Sequence, residues 1–285
     1  MKTKQLTLGI AIVAIAFTSI LSSCKKKDNQ EEVTDNDTST ATDQSLASTS
    51  VNDLTSISDE VGRSGDLSSF KTSESTAILS ACATITSNTL TSAKTITVNF
   101  GTVNCLCNDG RNRRGSVILS FTGNYRDSLT VITVTPSNYF VNDNQVTGTK
   151  SITNKGHNAA NHLVYEITAN VSIIKANGGG TISWTSTRQR EWINGEDSPT
   201  DWTNDKYSIT GGASGTTANG NTFTSVITSP LIRNMASGCR RHFTQGVLEH
   251  TPGGKPTRII DYGNGACDDQ ATVTIKGKVY NITLP

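Results

Sequence analysis

The residues whose types and spacing lend themselves to chemistry are few: six cysteines, four histidines, an acid-rich loop and one strand that alternates Trp and Arg. Thiols close disulfides, ligate metals or attack as nucleophiles. Cys105-Leu106-Cys107 is too tightly spaced for a structural zinc site, which pairs cysteines two to four residues apart. In an exported chain Cys82, Cys105, Cys107, Cys239 and Cys267 are expected to form disulfides instead. His157 and His162 sit in a Gly/Asn-rich hairpin loop whose sequence neighbours supply no acid or nucleophile for a triad. His242 and His250 are eight residues apart on one strand face, too far for shared ligation at about 3.3 Å per residue. No G-x-S-x-G, H-E-x-x-H or P-loop pattern occurs. The loop Asn194 to Asp205 is rich in oxygens that calcium favours but lacks the Asp-x-Asp-x-Asp-Gly order, so it reads as a solvated loop. Arg111, Arg113 and Arg114 read as a hydrated basic loop. No catalytic residue, metal ligand or cofactor is assigned, and the chain is expected not to be an enzyme.

The most suggestive binding surface lies between Ile182 and Ile193. Alternation places Ile182, Trp184, Ser186, Arg188, Arg190 and Trp192 on one face. Trp and Arg together stack on sugars or peptide groups and hydrogen-bond them. Trp184 is assigned to the core, with Arg stems running past it. Arg188, Arg190, Trp192 and Trp202 remain as binding candidates for a glycan or protein ligand.

A duplicated pattern supports two disulfides. Cys82, TITVNFG, Cys105 and SVILSFTG run in the same order as Cys239, TRIIDYG, Cys267 and ATVTIKG. A turn at Pro252-Gly253-Gly254-Lys255 sets Cys239 opposite position 268, one residue from Cys267. A turn at residues 91–94 sets Cys82 opposite position 103, two residues from Cys105 and four from Cys107. Cys239–Cys267 and Cys82–Cys105 are the expected bridges, leaving Cys107 odd.

Behind these groups stands an anchor. Lys2 and Lys4 precede a 16-residue apolar run, Leu6 to Leu21, and then Leu21-Ser22-Ser23-Cys24. The run is short for a membrane-spanning helix, which needs about 20 residues; it has the charge, apolar core and small-residue cleavage site of a signal peptide over residues 1–23. LSSC resembles a bacterial lipobox, so Cys24 is the expected lipidation site. Residues 24–42 read as a disordered tether. Within it Lys25-Lys26-Lys27-Asp28 and Glu31-Glu32 loosely resemble a surface-export signal.

From Asp43 to Gly62, Ala47, Val51, Leu54, Ile57 and Val61 fall at helical spacing, which predicts an amphipathic helix with Asp43 as N-cap and Gly62 just past its end. Over 78–285 the period is two, as in Tyr165-Ile167-Ala169-Val171-Ile173, and Asn/Gly turn signals punctuate it. No helix-length pattern lies between the strands, which argues against crossovers. The expected fold is all-β: a long antiparallel meander curled into a two-layer sandwich or open barrel, with one N-terminal amphipathic helix. Without the two signal-segment lysines the chain has 23 basic and 24 acidic residues, so no global field favours nucleic acid.

The lipobox, the tether and the segments CLCNDGRNRRG, WTSTRQREW and DYGNGACDDQATVTIKG resemble the uncharacterised β-rich lipoproteins of Bacteroidota. The lipobox implies a chain held to the outer membrane by its lipid, and the Lys-then-acid segment implies display at the cell surface, with a solvated charged tether facing the periplasm as the alternative; the resemblance brings no catalytic residues with it. A non-catalytic binding or structural module is the expected function. A secreted hydrolase acting on glycan or peptide, with a site dispersed over loops, is the alternative.

Overall fold

Helix α1 (Ser39–Arg63) opens the ordered body. Its sequence is poor in helix formers and rich in Ser and Thr, so it owes its place to packing more than to propensity. Ser50, Thr55, Ser56 and Ser58 return their hydroxyls to carbonyls one turn back, at Leu46, Val51, Asn52 and Leu54, so the hydroxyls are satisfied inside the helix. The computed structural model describes residues 35–63, 78–79, 82–88, 94–198 and 201–285, and Asn36–Pro285 form one unit. The signal peptide, Cys24 and the export-like segment lie outside the described residues.

Two expectations about this region are corrected. The helix begins at Ser39, and Asp43 lies within it rather than capping it. The tether does not run to residue 42: Asp37 accepts from Lys255 Nζ at 2.7 Å and from the Ser39 amide at 2.9 Å, and residues 39–42 are helical. Gly62 is likewise inside α1. A Cβ there would come within 2.4 Å of the Tyr125 ring, so close packing requires the glycine.

Among the described residues fourteen strands form one sheet. They are β1 (Thr84–Asn88), β2 (Lys94–Asn99), β3 (Cys105–Leu106), β4 (Asn112–Phe121), β5 (Val131–Val141), β6 (Asn144–His157) and β7 (Leu163–Ile174), then β8 (Thr181–Asn194), β9 (Lys206–Thr216), β10 (Thr222–Asn234), β11 (Gln245–Pro252), β12 (Arg258–Asn264), β13 (Gln270–Ile275) and β14 (Lys278–Thr283). Every pairing is antiparallel and between sequence neighbours, except that β2 and β3 share one edge of β4. The sheet is open, with β1 and β14 at its ends. It is therefore the antiparallel meander with one helix that the sequence patterning predicts. The β5–β6 turn uses Asn142 and Asp143 at φ 47° and 63°, the left-handed pair of a tight hairpin.

The sheet curls around α1. Gly148 in β6 and Gly211 in β9 hold φ of 103° and 109°, where a Cβ would collide with carbonyls of the neighbouring strand. Such kinks bend a sheet sharply. The stripe of α1 then feeds three apolar clusters: Ala41 in one, Ala47 and Val51 in another, Leu54, Ile57 and Val61 in the third. Full burial of one such aliphatic side chain contributes about 1.5–3 kcal/mol.

Both expected disulfides are present. Cys82–Cys105 spans β1 and β2 with Cα atoms 6.0 Å apart, and Cys239–Cys267 spans β11 and β12 at 4.4 Å. Cys107 is free and buried. The hairpin registers differ from the turn arithmetic, however: His250 pairs with Arg258, one residue from expectation, and Thr84 with Asn99, two residues from it. The turn assigned to residues 91–94 falls largely outside the described residues.

Candidate functional site: a charged seam between helix and sheet

Strand alternation that buries apolar side chains also turns a series of cations inward. Arg113 on β4, Lys150 on β6, Arg188 and Arg190 on β8, Arg233 on β10 and Arg258 on β12 are all buried, and the neutral imidazole of His250 on β11 is buried with them. A cation taken out of water is costly unless it is paired or hydrogen-bonded. What meets several of them is the polar flank of α1.

Asp53 is the first centre. It accepts from Arg111 Nη1 at 3.1 Å, from the Tyr139 hydroxyl at 2.5 Å and from Arg113, whose guanidinium also bonds Asp109 at 2.6 Å. Burial by itself would raise the Asp53 carboxyl; Arg113 and Arg111 override it and hold it at about 2. Asp59 is the second centre, gripped by both terminal nitrogens of Arg190 at 2.6 and 3.1 Å and bonded by the Tyr125 hydroxyl. Asp43 is the third. It accepts from Lys175 Nζ at 2.7 Å and from the Ala218 amide at 2.8 Å, which ties the β7–β8 and β9–β10 turns to the helix.

Elsewhere on the seam the helix offers only neutral acceptors. Lys150 donates to the Val51 carbonyl at 2.9 Å and to the Thr55 hydroxyl, and its burial holds its ammonium well below the ordinary lysine range. Arg188 donates to Ser48 Oγ at 2.9 Å, and Arg233 to Ser56 Oγ at 2.8 Å and the Arg240 carbonyl. Desolvation lowers both guanidinia to about 10. Trp184 Nε1 donates to Gln44 Oε1 at 3.1 Å, and Trp192 Nε1 to Asp205 Oδ1 at 3.2 Å.

The expected binding face is therefore the lining of the seam. Trp192 is 1% exposed, Arg190 2% and Arg188 4%, and α1 occupies the position a ligand would need. Trp202 sits in a short 3-10 turn, half-buried and packed against the apolar cluster that contains Trp192, with Arg240 over its ring at 5.3 Å. The tryptophans and arginines of β8 come together as the alternation predicts, but Trp184, Arg188 and Arg190 bind the chain's own helix and Trp192 binds Asp205. The basic loop is corrected in the same way. Arg111 and Arg113 are buried ion-pair partners, and only Arg114 reaches solvent, pairing with Asp143 and lying 3.8 Å from the Phe140 ring centroid.

The histidines fall into two kinds. His157 Nε2 meets Glu196 Oε1 at 2.7 Å, and His162 Nδ1 meets Glu191 Oε1 at 2.6 Å, so the structure supplies acids that the local sequence lacks. His250 and Ser225 share a 2.9 Å bond in the interior, but His250 Nε2 has no partner and neither group reaches solvent. That is a buried polar pair, without the orienting acid or the access that nucleophilic catalysis needs. The oxygens of the 194–205 loop diverge: Glu196 turns to His157 and the Leu163 amide, Asp201 to Thr203, Asp205 to Trp192 and Tyr207. Among the described residues no group of three or more His, Cys, Asp or Glu side chains is placed to hold a metal ion, and no helix is long and apolar enough to cross a membrane.

Sequence reasoning missed Asp53, Asp59, Lys150, Arg233 and Arg258. A signal was present: Lys150 alternates in phase with buried Ile152, Arg233 with Leu231 and Arg258 with Ile260. Charges in phase with a core face require countercharges, and α1 carries its acids beside its apolar stripe. No family model, curated protein or solved structure matches this chain.

Proposed function

We propose that the chain is a lipid-anchored lipoprotein of the bacterial cell envelope, acylated on Cys24, whose β body is a non-catalytic binding or structural module at the outer membrane. The observation that carries this reading is the N-terminal order of Lys2 and Lys4, the apolar run Leu6–Leu21 and LSSC. Two disulfides at opposite ends of the sheet suit a protein that folds in an oxidising compartment. The internal seam is closed by α1, so a glycan or protein ligand would meet the outer surface of the sheet and its loops, where Trp202 keeps part of its ring in solvent.

Blocking lipoprotein signal peptidase with globomycin should accumulate the unprocessed chain, and Cys24→Ala should release the protein from the membrane fraction. Membrane retention of that variant at the normal level would refute the anchor. Lys27-Asp28 and Glu31-Glu32 support display on the cell surface, so protease added to intact cells should cut the protein. Protection until the outer membrane is lysed would place it in the periplasm.

A further inference from the structure

A small cavity lies between the exposed flank of α1 and the last strands of the sheet, with room for about one water-sized group. Ser48 and Asn52 of α1 line one wall, and His242, Tyr262 and Arg241 the other. Ser48, Tyr262 and His242 are buried, whereas Arg241 is exposed and stands at the mouth. No carboxylate lines this space.

The charge on and behind the walls is positive, and the polar groups that line them, Ser45, Ser48, Asn52, Tyr262 and His242, are neutral. His242 is 7% exposed and its Nδ1 has no hydrogen-bond partner. Behind Ser48 stands Arg188, which gives that hydroxyl one nitrogen and keeps Nε and Nη2 unpartnered. Arg111 reaches the same loop, donating to the Arg241 carbonyl at 2.9 Å. Of these groups His242 Nδ1 lines the space itself, so a partner that enters relieves a buried polar atom left unmet, while Arg188 behind the wall adds positive field.

We propose that this cavity is a binding site for a monatomic anion of the halide class, held by His242 Nδ1, the hydroxyls of Ser48 and Tyr262, and the positive field of Arg241, Arg111 and Arg188. Its small size favours a monatomic ion over a tetrahedral oxyanion, and its lining gives a cation no carboxylate to bind. Occupancy ties α1 to the loop that the Cys239–Cys267 bridge secures, and so helps to close the open side of the sheet over the helix. Binding is linked to protons. Burial and the nearby Arg111, Arg241 and Arg233 lower His242 to about 4, against the opposing pull of Asp269. An anion beside the ring reverses part of that shift, so halide should bind more tightly at pH 5 than at pH 7.

Crystals of the wild-type protein grown with bromide in place of chloride should show an anomalous peak beside His242 Nδ1. Thermal unfolding in sodium chloride should exceed that in sodium gluconate of equal ionic strength by a few degrees and saturate, with the larger shift at pH 5. Arg241→Gln, at the exposed mouth, should weaken the halide dependence several-fold without loss of folding, and His242→Phe should abolish it. A cavity that holds only water in bromide, or identical melting in chloride and gluconate at both pH values, would overturn the site. A larger saturable shift with sulfate would overturn the halide assignment in favour of an oxyanion bound at Arg241.

Discussion

The two stretches of the helix–sheet seam solve the same problem in opposite ways. Around Asp53 and Asp59, buried guanidinia meet carboxylates in multidentate pairs, and each acid is also bonded by a tyrosine. Around Ser48 the helix offers Arg188 a single hydroxyl, with the Trp184 ring 5.0 Å away. A buried pair repays its desolvation only when its geometry is good, and breaking it strands a charge; a buried cation with neutral partners has little to lose. The first stretch therefore fixes where α1 sits, and the second tolerates change.

Substitutions should separate them. Asp53→Asn leaves Arg111 and Arg113 to share Asp109 as their one remaining carboxylate and should cost about 3–5 kcal/mol in urea unfolding. A loss under 1 kcal/mol would mean that the pairs carry no positional role. Arg188→Met, in contrast, keeps the volume and removes an underbonded charge, so it should be neutral or stabilising by about 1–4 kcal/mol. If it destabilised the fold as much as Asp53→Asn, the two stretches would not differ.

The pH dependence sharpens the comparison. His250, on the polar side of the seam, is lowered to about 4 by burial first and then by Arg258, with Asp43 opposing. Its unfolded counterpart titrates near 6.5, so the unfolded chain binds the extra proton between those values. Stability from His250 is complete above pH 6.5 and is lost as pH falls toward 4, on the order of 3 kcal/mol in chloride-free buffer. Asp53 acts lower: its depressed carboxyl gives stability that is complete above about pH 4 and is lost progressively as pH falls through about 2. Urea midpoints across pH 7 to 4 for wild type and His250→Gln test this, and a flat wild-type profile would contradict it. The smallest effect belongs to the outside. Arg114→Ala removes the exposed Asp143 pair and should leave the urea midpoint almost unchanged, with any remainder removed by salt. A larger, salt-insensitive loss would show that the outer face shares the seam's energetics.

The sequence by itself determined the period of the strands, the helical stripe and the partners of both disulfides, because each rests on local spacing: alternation for β8, steps of three and four for α1, hairpin proximity for Cys239 and Cys267. It also placed Arg188, Arg190 and Trp192 correctly on one face. Which side of that face would meet solvent was beyond it. A strand's pattern says that two faces differ, but whether an Arg/Trp face is wet or buried depends on what covers it, and the cover here is a helix more than a hundred residues away in the chain. The same reason hid the seam. Asp53 and Arg113 are unremarkable within their own segments, and only the curl of the sheet around α1 brings them together, removes water from between them and makes their pairing costly to break.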